Sequence, residues 1–88
     1  MIGDRNAGYE IIAEEYFFKN GDRAEGVALG RTVKAVGSNF VTWEFAEYKC
    51  EPRSYFWGHY YDSELRARIN YHERVLDILK CILTSKTQ

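Results

Sequence analysis

Proline occurs once in these 88 residues, cysteine twice and methionine once. With so little proline, almost the whole chain is free to enter strands or helices, and Pro52 itself marks a turn. Two cysteines are too few for a disulfide framework, and Cys50 and Cys81 form neither a C-x-x-C pair nor a metal-ligand spacing with histidine. One falls in an expected loop and the other near the end of an expected helix. They read as free thiols in a reducing compartment, with a disulfide between them as the alternative. No apolar run nears the roughly 20 residues of a membrane span, and Met1-Ile2-Gly3-Asp4-Arg5-Asn6 lacks the apolar stretch of a secretory signal, so a cytoplasmic protein is expected. Net charge is −1, which provides no overall basic field for nucleic acid. There is no Ser/His/Asp order, P-loop or dinucleotide glycine pattern, and Gly26–Gly30 lacks the Lys and helix start of a phosphate loop. No enzymatic activity, cofactor or metal is expected.

What the chain has in quantity is rings. Aromatic residues make up 16%, with seven Tyr, five Phe and two Trp. They concentrate in Tyr55-Phe56-Trp57-Gly58-His59-Tyr60-Tyr61. In a strand, Tyr55, Trp57, His59 and Tyr61 point to one face and Phe56, Gly58 and Tyr60 to the other. Both faces are heavy, so the expectation is a central strand covered on at least one side.

Residues 1–8 are polar and read as a loose lead-in. Tyr9–Lys19 has a clean helical grouping (Tyr9, Ile12, Ala13, Tyr16, Phe17), yet Asn20-Gly21-Asp22 after it is a hairpin signal, and Tyr-Phe-Phe favours a strand. The hairpin signal decides for a strand. Glu25–Val33 alternates weakly, and its two glycines suggest an edge, a bulge or close approach of another backbone. Residues 36–39 read as a loop. In Phe40–Ala46, Val41, Trp43 and Phe45 alternate with Thr42, Glu44 and Ala46. From Ser63 the period becomes helical: Leu65, Ile69, His72, Leu76, Leu79 and Leu83 form one stripe. Asp62 or Ser63 can cap this helix, and Glu64 stands four residues before Arg68. The tail 85–88 is expected to fray.

One domain, 1–88, of the α+β class follows. It should be a four-stranded antiparallel meander over about 9–19, 25–33, 40–48 and 54–62, with a helix over about 63–84 packed on one face. The expected core is Val41, Trp43, Phe45, Leu65, Ile69, Leu76 and Leu79, joined by Trp57.

Several groups could carry function. His59 among rings reads as a packed neighbour and His72 as a core or core-edge residue. Glu10, Glu14, Glu15, Asp22 and Glu25 cluster in the first hairpin, where an acidic strip could present itself to a basic groove or blunt edge pairing. Tyr48, Tyr55, Tyr60, Tyr61 and Tyr71 are the rings expected outside the core. Exposed Tyr beside Arg53 is what protein interfaces favour. The candidate partner-binding residues are therefore Tyr55, Tyr60, Tyr61, Arg53, Glu14, Glu15, Asp22 and Glu25. A homodimer is an alternative use of the same rings. Arg66, Arg68, Arg74 and Lys80 are interleaved with acids and make no basic stripe.

Phe40-Val41-Thr42-Trp43, then Tyr55-Phe56-Trp57-Gly58-His59-Tyr60, then a helix carrying an arginine near Arg74, together resemble a family of small proteins encoded by phages and conjugative elements of Gram-positive bacteria. The resemblance covers about residues 25–80. It implies a non-enzymatic inhibitor of host defence, anti-CRISPR-like, that binds a host protein such as a CRISPR effector. The other reading is a nucleic-acid-binding accessory protein of a mobile element.

Overall fold

The computed structural model describes residues 2–34 and 37–86; residue 36 of the expected 36–39 loop and residues 87–88 of the expected frayed tail lie outside them. Five strands precede one helix: β1 (Arg5–Asn6), β2 (Tyr9–Asn20), β3 (Arg23–Arg31), β4 (Phe40–Tyr48), β5 (Ser54–Tyr61) and α1 (Glu64–Lys86). The strands pair in chain order as one antiparallel sheet. The α+β class and the meander are as expected, and the strand reading of Tyr9–Lys19 holds, with β2 turning at Gly21. The count was one short. Part of the lead-in pairs with β2 (Asn6↔Tyr9), because Ala7 and Gly8 take φ of 52° and 84°, the left-handed pair of a tight two-residue hairpin. The aromatic strand β5 is at the edge of the sheet, not at its centre.

Register assigns the sheet two different faces. Trp43 lies opposite Ala28 and Phe45 opposite Gly26, while Val27 and Leu29 point the other way. A first cluster holds Ile11, Ala28, Val41, Trp43 and Phe45, flanked by Tyr9, Tyr16 and Tyr55. Here the glycines of β3 are needed for close approach. A Cβ on Gly26 would sit 2.4 Å from both the Phe45 ring and the Glu15 carbonyl oxygen, and one on Gly30 would sit 2.9 Å from Trp43. The rings lie in slots that any larger residue would fill.

The second cluster, on the opposite face, holds Val27 and Leu29 against Ala67, Tyr71 and Val75 of α1. Ser63 caps the helix, its Oγ accepting from the Arg66 amide at 3.3 Å, and Arg68 donates to Glu64 at 2.8 Å. Two expectations about the core fail here. Val41, Trp43 and Phe45 are buried, but on the face away from the helix. Leu65, Ile69, Leu76 and Leu79 are exposed, as is Leu83. The helix carries two apolar stripes, and the one beginning at Ala67 faces the sheet, since an alanine lets the helix approach closely. Tyr71, expected outside, is buried in it, and burial with the nearby charges of Glu15 and Glu14 pushes its hydroxyl pKa up to about 12.

Candidate functional site

Arg53 follows the β4–β5 turn and folds over the ring-lined face. Its guanidinium carbon stands 3.9 Å from the centre of the Phe45 ring. Nη1 donates to Glu14 Oε1 at 2.8 Å and Nε to Glu47 Oε2 at 2.8 Å, and further bonds reach the Tyr55 and Tyr16 hydroxyls at 3.1 and 3.2 Å. The side chain of Arg53 is 9% exposed and that of Glu14 11%. Burial works against both charges, but their mutual hydrogen bonds and attraction outweigh it. The Glu14 carboxyl is held below its ordinary range and Arg53 holds its proton more tightly than usual. Burial, reinforced by Glu47, raises the Tyr16 hydroxyl; burial also raises Tyr55, against the opposing pull of Arg53. Arg53, Tyr55 and Glu14, three of the eight expected partner-binding residues, therefore meet in one place. That place is an internal seal.

The outward-facing feature lies one strand position on. Between Thr42↔His59 and Glu44↔Phe56 the register shifts, so that Trp57 and Gly58 together oppose Trp43. This is a β-bulge. The Trp43 ring lies over Gly58, where a Cβ would meet its Nε1 at 2.9 Å. Trp57 takes φ of 56°, a left-handed conformation that bulky residues adopt rarely, and its side chain is 68% exposed, with Phe56 edge-on at 5.0 Å. The expectation of a buried Trp57 fails because the bulge breaks the alternation on which it rested.

Arg74 of α1 holds this bulge from below. Its Nη2 donates to the Trp57 carbonyl at 2.7 Å and to Glu44 at 3.4 Å. Its Nη1 donates to the carbonyl and hydroxyl oxygens of Thr42, each at 3.0 Å. The Thr42 hydroxyl, fully buried, donates in turn to Asn70 Oδ1 at 2.6 Å. The strained backbone of Trp57 is thus over-determined by a part-buried hydrogen-bond network, the condition under which such strain persists.

No protein-family model matches this chain, and no curated protein or solved structure does either.

The remaining expected residues are scattered. Tyr60 is exposed on the ring-lined side, 6.0 Å from Tyr9, whereas Tyr61 is half-buried in the cluster under the helix. Glu15, opposite Val27, points away from Glu14, so the acidic strip is split between the faces. Glu25 pairs with Arg23, and Asp22 lies 3.9 Å from Lys49 at the hairpin tip. Beside them, between the hairpin end and the last turns of α1, lies a groove of about 770 Å³ lined by Phe17, Phe18, Ile78, Cys81 and Ile82. His59 and His72 are both exposed, His59 on the edge strand and His72 on the outer side of α1, where the Tyr71 ring meets it edge-on at 5.1 Å. Cys50 and Cys81 are exposed free thiols. Among the described residues no cluster of His, Cys, Asp and Glu is arranged to hold a metal, and no helix is long and apolar enough to cross a membrane. Sequence reasoning missed Glu47 and Tyr16 in the seal and the exposure of Trp57. The last had a signal, since a glycine inside a strand often marks a bulge.

Proposed function

We propose that this chain is a non-enzymatic protein-binding inhibitor encoded by a mobile element, anti-CRISPR-like in action, and that Trp57 is its anchor on a host protein. One observation carries the reading: a large ring is held out to solvent, on an edge strand, by a backbone conformation that costs about 1–3 kcal/mol to maintain. A tryptophan at the centre of an interface is the residue type most often found to dominate binding. The Y-F-W-G-H-Y resemblance to proteins of phages and conjugative elements supplies the biological context. The nucleic-acid reading is the weaker one, because Arg53 and Arg74, which flank the aromatic strand, are held by internal partners, and Arg23, over the exposed Phe18 and Tyr48 rings, pairs with Glu25.

The test separates folding from function. Trp57→Gly removes the left-handed strain and should leave the fold as stable as before or more so. Expressed in a bacterium whose CRISPR system restricts a phage, the native chain should restore phage plating, and Trp57→Gly should not. Purified with the effector so identified, the variant should bind on the order of 30-fold more weakly or worse. Plating unchanged by the native chain across hosts bearing different CRISPR types would overturn the anti-CRISPR assignment. An equally active Trp57→Gly would overturn the role of Trp57.

A further inference from the structure

Among the described residues, the second apolar stripe of α1 joins neither buried cluster. Leu65, Ile69, Leu76, Leu79 and Leu83 are between 43% and 69% exposed, although a helix packed on a sheet needs only one apolar face. With His72 they are spaced alternately by four and three residues, the a/d alternation of paired helices. Ile69, Leu76 and Leu83 take the a sites, and Leu65, His72 and Leu79 the d sites. We propose that α1 pairs with α1 of a second copy of this chain, parallel and in register, through this stripe. The proposal is independent of the Trp57 reading.

Charge decides the orientation. The flanking e sites are Arg66, Glu73 and Lys80, and the g sites are Arg68, Val75 and Ile82. In a parallel pair each g residue meets the e residue of the partner's next heptad, so Arg68 meets Glu73 of the second copy, twice by symmetry. Arg68 already donates to Glu64 and has N–H groups left for a second carboxylate. In an antiparallel pair that matches all six apolar layers, Glu73 would face its own counterpart and Arg66 would face Lys80. Like charges at those sites oppose that arrangement.

Size sets the affinity. Residues 65–83 span about 28 Å of helix, and one helix is about 10 Å wide, so the strip projects roughly 300 Å². That is small beside the roughly 800 Å² each partner gives a standard interface, so the dimer should be weak and dependent on concentration. The His72 layer, polar at the centre of the strip, limits it further.

Sedimentation equilibrium over roughly 5–500 µM tests this across the range expected of so small an interface. The native chain should pass from monomer toward dimer. Leu76→Glu lies at an exposed position, so it should leave the circular dichroism and melting of the monomer unchanged and weaken association by about tenfold or more. His72→Leu should tighten it. Glu73→Arg should weaken it, and Arg68→Glu combined with Glu73→Arg should restore it. A native chain that stays monomeric throughout, or a dimer indifferent to Leu76→Glu, overturns the proposal and gives the stripe to some other occupant. A dimer that Glu73→Arg leaves intact overturns the parallel arrangement.

Discussion

The sheet face under α1 and the face opposite it each bury one contiguous cluster of five residues, but different chemistry closes them. Under the helix, aliphatic side chains meet Ala67, Tyr71 and Val75 in helix-on-sheet packing. Among the described residues no second helix covers the other face. Rings are laid into glycine slots, roofed edge-on by Tyr9 against Trp43 at 5.8 Å and Tyr16 against Phe45 at 5.3 Å, and closed by the Arg53 ion pairs. An 88-residue chain with one helix has too little apolar material to cover both faces of five strands with secondary structure, so the second face is sealed by its own side chains. A seal of that kind depends on shape and on paired charge. It should break more sharply than the helix-covered face when either is disturbed.

Gly26→Ala should produce the largest effect. The added methyl would collide with the Phe45 ring and with a backbone oxygen of β2, and the backbone has nowhere to move within a paired sheet. A loss of about 3 kcal/mol or more in urea unfolding, or failure to fold, is expected. A loss below about 1 kcal/mol would mean that the ring face is loosely packed. Arg53→Met comes next. It takes from Glu14 and Glu47 the guanidinium that bridges them, a change that costs about 3 kcal/mol, toward the low end for buried pairs because Glu47 is partly solvated. Combining it with Glu14→Gln should recover much of that loss. If the double variant is no better than the single, the ion pair is not what closes this face.

pH divides the two faces. Glu14 has a folded-state pKa below its ordinary 4.5, so the unfolded chain takes up this proton first as pH falls. The stability it contributes is present above about pH 4.5 and is lost as pH drops through the lower folded-state value. Tyr71 behaves in the opposite sense. Its folded-state pKa of about 12 lies above the ordinary 10, so its contribution is complete below pH 10 and disappears between about 10 and 12. That limb amounts to roughly 2–3 kcal/mol. Melting temperatures across pH should show Tyr71→Phe flattening the alkaline limb and Arg53→Met flattening the acid one. A smaller alkaline slope should survive Tyr71→Phe, since Tyr16 and Tyr55 on the ring face are also raised. If one substitution flattens both limbs, the faces do not titrate separately.

The parts of this architecture legible in sequence were those set by local chemistry. The Asn20-Gly21-Asp22 turn, the alternation in Phe40–Ala46 and the Ser63 cap each specify their own neighbourhood, and they suffice for an antiparallel meander ending in a helix. What escaped was settled by contacts distant in the chain. Two apolar stripes on one helix look equally eligible for the core, and only the sheet beneath selects Ala67 over Leu65. Arg53 beside Tyr55 suggested an interface, but its carboxylate partner Glu14 lies 39 residues away. Trp57 was assigned inward because strict alternation was carried through Gly58, where the bulge reverses it. Each of these misses falls on a residue of the candidate site or of the exposed helix stripe, where the local pattern and the fold disagree.

The smallest expected effect is also the most local. Ala7 pays for the β1–β2 turn with a left-handed backbone at φ 52°, beside Gly8 at 84°. Asparagine tolerates that conformation, and Asn-Gly is the favoured pair for such turns, so Ala7→Asn should stabilise the chain by a few tenths to about 1 kcal/mol. The gain should not spread evenly. The hairpin anchors Tyr9, whose ring roofs Trp43, and the Ile11 amide donates to the Asp4 carbonyl at 2.8 Å across it. Amide hydrogen exchange at Ile11 should therefore slow in the variant while the amides of α1 keep their native rates, if the rim of the ring face opens without the helix. Equal slowing at both would show that the two faces open only together, and that the contrast between them is one of chemistry and not of cooperativity.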